Sequence, residues 1–165
     1  MNYICKIASL DEMEQKWEEE IAKHPHSRSN WTVWMAQAIS SAKSGASIPY
    51  YGILQGRIIC EATAILCPDH AQNSAGLIDR RTAYLCAFRT AEAYRGQGYF
   101  SKLLDFLLND LRLRGYARAT LGVEPDEEKN RQIYRHFGFT EWIKEGWETY
   151  PDGTKIPVFY YGKAL

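Results

Sequence analysis

Two glycines stand one residue apart in the run Arg95-Gly96-Gln97-Gly98-Tyr99-Phe100-Ser101, directly before a stretch whose leucines recur at helical spacing. A helix start leaves its first amide N–H groups without acceptors, and glycine lets the backbone turn tightly and approach a ligand oxygen. Arg95 adds a permanently positive guanidinium. This order of residues makes an anion site, and a phosphate or pyrophosphate is the anion it suits. The run lacks the Gly-Lys-Ser/Thr ending of a triphosphate-binding loop, the third glycine of the dinucleotide fingerprint, and the lysine context of a kinase. A simple nucleoside triphosphate or NAD is therefore not the expected ligand.

Such a loop needs a strand that ends before it and a helix that begins at it. Thr82 to Phe88 is a β-rich run, continuing to about Thr90, with a short turn through Glu92-Ala93-Tyr94. From Gly98 onward Phe100, Leu103, Leu104, Leu107, Leu108 and Leu111 fall on one helical face until Gly115. Upstream, Tyr3 to Ile7 reads as a strand. A helix capped by Ser9 or Asp11 runs through Met13, Trp17 and Ile21 and is stopped by His24-Pro25-His26, and a second helix spans Trp31 to Lys43. Tyr50 to Leu54 and Arg57 to Leu66 form a hairpin on Gln55-Gly56, and the polar run from Cys67 to Arg80 is a loop. Downstream come a strand from Ala117 to Val123 and a helix from Asp126 to Phe137 that Gly138 ends in a left-handed cap. The strands Glu141 to Tyr150 and Pro157 to Gly162 follow, around Pro151-Asp152-Gly153. The order predicts one domain over residues 1–165, of α+β class, with a mixed central sheet flanked by helices on both faces. Its strand-helix-strand unit around Gly98 is expected to be parallel and right-handed.

Lysine plus arginine and aspartate plus glutamate both number 20, so no net field draws the molecule to nucleic acid or to an anionic membrane, and neither is expected as a partner. Cys5, Cys60, Cys67 and Cys86 are widely spaced and mostly in apolar runs, as small buried thiols of a reducing compartment are. They suggest no metal site. Lys6, Asp11, Glu12 and Glu14 come too early for a signal peptide or membrane anchor, so the expected location is cytoplasmic.

The segment Tyr94-Arg95-Gly96-Gln97-Gly98-Tyr99-Phe100-Ser101-Lys102-Leu103-Leu104 resembles the acyl-CoA loop of the GNAT superfamily of N-acetyltransferases. Gly122-Val123-Glu124-Pro125, followed by Ile133-Tyr134-Arg135-His136-Phe137-Gly138-Phe139, resembles that family's second CoA-binding segment. Phe100 stands where the family usually has glycine or alanine, and Asn130 lies about a turn later than the family's asparagine, whose place Glu127 holds. The resemblance implies acetyl-CoA as co-substrate, with no metal. The pantetheine chain would pair with the backbone of Phe88, Arg89 and Thr90 at a bulge, and the loop from Arg95 through Gly96, Gln97, Gly98, Tyr99, Phe100 and Ser101 would take the pyrophosphate. Asn130 is placed to reach the pantetheine arm.

The activity so implied is direct transfer of the acetyl group to an amine-bearing acceptor, with an oxyanion held by a backbone N–H near Phe88 to Thr90. Tyr134 is the candidate general acid, because a phenol is a fitting donor to a departing thiolate. The alternative is that it only anchors its helix. Glu61 and Glu124 are the candidate general bases, against a solvated strand residue for Glu61 and a helix cap for Glu124. Cys86 reads as a buried thiol rather than a nucleophile, and His24, His26 and His136 as surface residues. Trp31, Trp34, Tyr50, Tyr51, Trp142, Trp147 and Tyr150 are too scattered along the chain to define a cage. The resemblance implies that the first two helices and the late hairpin shape the acceptor end, at Trp31, Trp34 and the stretch from Glu145 to Pro157. Loss of catalysis, leaving a CoA-sensing or interaction module, is the alternative, and the late strands offer a homodimer edge.

Overall fold

The computed structural model describes residues 2–165. In chain order its elements are β1 (Tyr3–Ile7), α1 (Leu10–Lys23), α2 (Arg28–Lys43), β2 (Ser47–Leu54), β3 (Arg57–Ile65), β4 (Thr82–Thr90), α3 (Tyr99–Leu113), β5 (Arg118–Val123), α4 (Glu128–His136), β6 (Glu141–Thr149) and β7 (Lys155–Ala164). One seven-stranded sheet runs β1-β2-β3-β4-β5-β7-β6, and β4 and β5 are its parallel pair. All other neighbours are antiparallel.

Period-two alternation along β2 shows why both faces are covered. Tyr50 is packed with Leu103, Leu104, Leu107, Leu108 and Leu111 of α3, whereas its neighbour Tyr51 is packed with Met13 and Trp17 of α1. The Tyr50 hydroxyl donates to Asp110 at 2.7 Å and pins α3 to the sheet. Each leucine that α3 buries contributes about 1.5–3 kcal/mol against an exposed position. Phe137, Phe139 and Tyr134 join the α3 side, so α3 and α4 share one face and α1 and α2 the other.

Several elements extend past their expected ends. β7 reaches Lys155 and Ala164 because β6 and β5 offer ladder partners there, Lys155 against Thr149 and Ala164 against Arg118. α2 begins at Arg28, since a short 3₁₀ turn over Pro25–Ser27 leads straight into it. α4 is instead shorter than expected, running from Glu128 to His136, because a tight turn in which the Glu127 amide donates to the Glu124 carbonyl precedes it. The polar loop before β4 is tied down: the Thr120 hydroxyl donates to the Leu77 carbonyl, and Leu77 and Ile78 pack on Tyr84 and Tyr160.

Candidate active site

The parallel ladder between β4 and β5 runs from Thr82 opposite Arg118 to Leu85 opposite Leu121 and stops there. From Cys86 to Thr90 the side of β4 facing β5 has no strand partner. On its other side β4 pairs Cys86 with Thr63 and Arg89 with Glu61, so β4 carries one residue more than β3 between these points. That bulge centres on Ala87, whose φ of 55° lies in the left-handed region. The bulge turns β4 away from β5 and leaves an open backbone edge at Phe88, Arg89 and Thr90.

The edge leads directly to the glycine loop. Gly96 and Gly98 have φ of 71° and 85°, and Gly98 is the N-cap of α3. A Cβ built on either meets no protein atom within 4 Å, so backbone conformation and outward space, not crowding by the protein, call for glycine here. The amides of residues 96–101 donate to no backbone carbonyl, while that of Lys102 begins the helical pattern by donating to Gly98. Arg95 folds back to donate from Nε to the Thr90 carbonyl, and Gln97 donates to the Ala93 carbonyl. Tyr3 fixes the helix start: its ring lies over Gly52, where a Cβ would come within 2.0 Å of its hydroxyl, and that hydroxyl donates to the Tyr99 carbonyl at 2.9 Å. Ser101 is half-buried, and Phe100 turns its ring inward against Phe88 and Phe137, at centroid distances of 5.3 and 6.2 Å. The departure at this loop position is absorbed by packing, and the Phe100 amide stays free.

Tyr134 lies 5.5 Å from the Phe88 ring, centroid to centroid, beside the bulge. Burial, then the charge of Glu127, pushes its phenol up to about 12, so it stays protonated at neutral pH. Asn130, in the first turn of α4, points its amide at Glu127 at 3.4 Å. Glu124 is half-buried at the end of β5, and desolvation, followed by Glu127 and Asp126, raises its carboxyl above the usual range. It does not cap α4, whose N-cap is Glu127, a residue whose side chain makes no capping bond to the helix backbone.

Glu61 is not a solvated strand residue. It is 4% exposed, accepts from Arg89 Nε at 2.8 Å and also pairs with the second guanidinium nitrogen. Lys16 Nζ stands 3.7 Å from its other oxygen, which has no hydrogen bond. The Arg89 guanidinium is in turn 5.0 Å from the ring centroids of both Trp17 and Trp31.

Nor are all the aromatic residues scattered in space, although Tyr50, Trp142 and Trp147 lie elsewhere. Trp17, Trp31, Trp34 and Tyr150 form a continuous chain with successive centroid distances of 6.0, 5.4 and 5.1 Å, and His24 stacks on Trp31 at 4.2 Å. Trp17, Trp34 and Tyr150 of this chain line a cleft of about 810 Å³ together with Cys86, Ala87, Arg89, Tyr84 and Glu148. Burial, then Glu148, pushes the Cys86 thiol up to about 12, which leaves it a poor nucleophile. Within the stretch from Glu145 to Pro157 nothing local singles out Glu148, since in a strand with exposed neighbours on both sides it looks like a solvated carboxylate. Its partner Tyr160 is 12 residues away on β7.

Residues 9–139 match the model of the acetyltransferase (GNAT) family, and the chain belongs to that family. It is 31% identical over 80 residues to the [ribosomal protein bS18]-alanine N-acetyltransferase of Haemophilus ducreyi, covering 48% of this chain. That match spans about half of the relative, 54% of its length. Among solved structures, the ribosomal-protein-S18-alanine N-acetyltransferase of Escherichia coli superposes with a TM-score of 0.69 at 13% identity, over 99% of this chain and 94% of that one. A GNAT family acetyltransferase of Elizabethkingia anophelis with acetyl-CoA bound gives 0.58 at 12% identity, over 78% and 82%.

Proposed function

We propose that the protein transfers an acetyl group from acetyl-CoA to the nitrogen of an amine by direct attack, with Tyr134 giving the proton to the departing sulfur. The observation that carries this reading is the end of the β4–β5 ladder at Leu85 and Leu121, from which an open β4 edge runs on to the unpaired amides of residues 96–101. The chain fits the co-substrate: Phe88, Arg89 and Thr90 offer pantetheine a strand edge, and the loop from Arg95 to Ser101 offers pyrophosphate free N–H donors beside a guanidinium. When bound, the thioester supplies an activated acetyl group and a thiolate leaving group.

Tyr134 holds a proton beside the bulge at neutral pH, the state a donor requires. Asn130 is proposed to contact the pantetheine arm once it turns from Glu127. Of the two carboxylates proposed as bases, Glu124 is the freer, since Glu61 is held by Arg89 and Lys16 and serves in this reading to orient Arg89. The acceptor enters from the opposite face, where the cleft reaches Cys86 and Ala87.

Calorimetric titration with acetyl-CoA tests the cofactor half. Saturable binding that Gly98→Trp abolishes is expected, and absence of binding to the wild type would refute it. Amine acetylation that Tyr134→Phe lowers at unchanged acetyl-CoA affinity tests the catalytic half. A variant without effect removes Tyr134 from the role, and no turnover of any amine by a protein that binds acetyl-CoA would favour the sensing module.

A further inference from the structure

Two carboxylates line the cleft beside the bulge, and Glu148, unlike the exposed Asp69, is held in position by a hydrogen bond. Glu148 Oε2 accepts from the Tyr160 hydroxyl at 3.1 Å, and that hydroxyl accepts from Asn73 Nδ2 at 3.0 Å. Asn73 Nδ2 also donates to the Trp147 carbonyl at 2.9 Å, so the relay is closed back onto β6 next to Glu148 itself. Tyr160 is fully buried and packs on Tyr84, with ring centroids 6.2 Å apart. The chain of donors fixes one carboxylate oxygen, while Oε1 has no hydrogen-bond partner among the described residues. Glu148 faces the same cleft as Cys86 and Ala87, the latter at the centre of the β4 bulge.

The rest of the cleft wall supplies apolar and aromatic surface. Trp34 and Tyr150 meet edge to face at 5.1 Å, and Ala36, Ala38 and Ile65 lie around them. Arg89, the cleft's cation, is committed to Glu61 and to the two tryptophan rings beneath it. Glu148 is thereby left to recognise a positive charge. The walls are pinned to one another: Asn30 and Asp152 exchange hydrogen bonds of 3.0 and 2.9 Å between α2 and the β6–β7 turn, and Gln72 and Thr149 exchange bonds of 3.0 and 2.8 Å between the long loop and β6. A cleft whose walls are pinned in this way keeps a fixed shape, which suits a compact ligand better than an extended chain.

We infer that Glu148 is the carboxylate that receives the acceptor, pairing with the ammonium of a small primary amine whose apolar or aromatic flank lies on Trp34 and Tyr150, and taking up one of its protons in place of Glu124 or Glu61. The inference rests on the acetyl-transfer reading. An ammonium has no lone pair for attack, so one N–H proton must leave first; it passes to Glu148 Oε1 and from there to solvent, while the nitrogen keeps the bonding pair. Burial, with Glu124 adding to it, raises the Glu148 carboxyl above the usual range and toward that task, against the opposing bond from Tyr160. The other titratable groups around it are the phenols of Tyr84, Tyr150 and Tyr160, the Cys86 thiol, Glu124 and Arg89, with Asp69 and His70 further along the cleft wall. The phenols and the thiol are held neutral by burial.

The test uses the whole protein without cofactor, titrated with phenethylamine, with 3-phenylpropionate and with the peptide Phe-Ala-Ala-Ala, read by intrinsic tryptophan fluorescence. Phenethylamine is expected to bind at least about tenfold more tightly than the other two and to lose about tenfold or more in Glu148→Gln, the range for a hydrogen bond to a charged group. Glu148→Asp, which keeps the charge, should restore part of the affinity. Wild-type affinity should fall as pH drops through the raised Glu148 pKa, whereas that of Glu148→Gln should stay level. Equal binding of the carboxylate or the peptide, or an unchanged Glu148→Gln, overturns the inference. Acetyl-CoA titrated in parallel should bind wild type and Glu148→Gln alike. Its failure to bind both would refute the acetyl-transfer reading, with the amine selectivity still deciding the role of Glu148.

Discussion

At the scale of single residues, the site depends on where a proton or a lone N–H stands. Tyr134→Phe removes a hydroxyl that hydrogen-bonds no other described residue, so its expected cost lies in catalysis rather than in folding: a fall in kcat of about 10²–10⁴-fold, the usual worth of general acid catalysis, at unchanged acetyl-CoA affinity. Because the phenol is raised to about 12, its proton is retained as pH rises and is lost only near that value. A pH–rate profile is therefore expected to show no alkaline decline from Tyr134 below about pH 11. Gly98→Ala places a side chain at φ 85°, at a cost of about 1–2 kcal/mol for left-handed backbone. No protein atom resists the methyl, so the melting temperature should drop by a few degrees while acetyl-CoA affinity falls further, through the space the co-substrate needs. Paired thermal melts and calorimetry separate the two effects.

Among elements, the ion network on the α1–α2 face sets the position of β4. Glu61→Ala strips Arg89 of its carboxylate and leaves the ammonium of buried Lys16 to Glu20 alone. Destabilisation of about 3 kcal/mol is expected by denaturant unfolding, at the lower end of the range for a broken buried pair because the Arg89 side chain keeps 26% of its surface exposed. Glu20 adds a pH dependence. Burial alone would raise its carboxyl, but the hydrogen bond and charge of Lys16 outweigh this and hold it below the usual value. A depressed folded pKa gives stability that is complete above the unfolded value, about 4.3, and is lost as pH falls through the folded one. Unfolding midpoints measured from pH 6 to pH 3 should therefore decline in the wild type and decline less in Lys16→Met.

For the whole molecule, ligand linkage and the free sheet edge are the measurable properties. Acetyl-CoA at a hundred times its dissociation constant stabilises by about 2.7 kcal/mol, which for a chain of this length raises the melting temperature by about 5–10 °C. β6 is the sheet edge after β7 and carries Trp142 and Trp147 at 51% and 61% exposure. A second copy covering this edge would show as a dimer in sedimentation, reversed by Trp142→Glu; a monomer at all concentrations would rule it out. No helix among the described residues is long and apolar enough to cross a membrane.

The sequence by itself determined the features whose causes are local. Gly96 and Gly98 before the leucine-periodic helix, the turn at Gln55-Gly56 and the left-handed stop at Gly138 are all set within a few residues of chain, and each could be read there. Element ends such as those of β7 were less legible, because a strand extends as far as its neighbours offer partners. Only the tertiary structure decided what the charged and aromatic residues do. Glu61 and Arg89 lie 28 residues apart, Asn73 and Tyr160 lie 87 apart, and Trp34 meets Tyr150 across most of the chain. Ion pairs, relays and ring contacts of this kind leave no periodicity behind. Whether a carboxylate is solvated, locked or poised depends on which strand the sheet brings beside it.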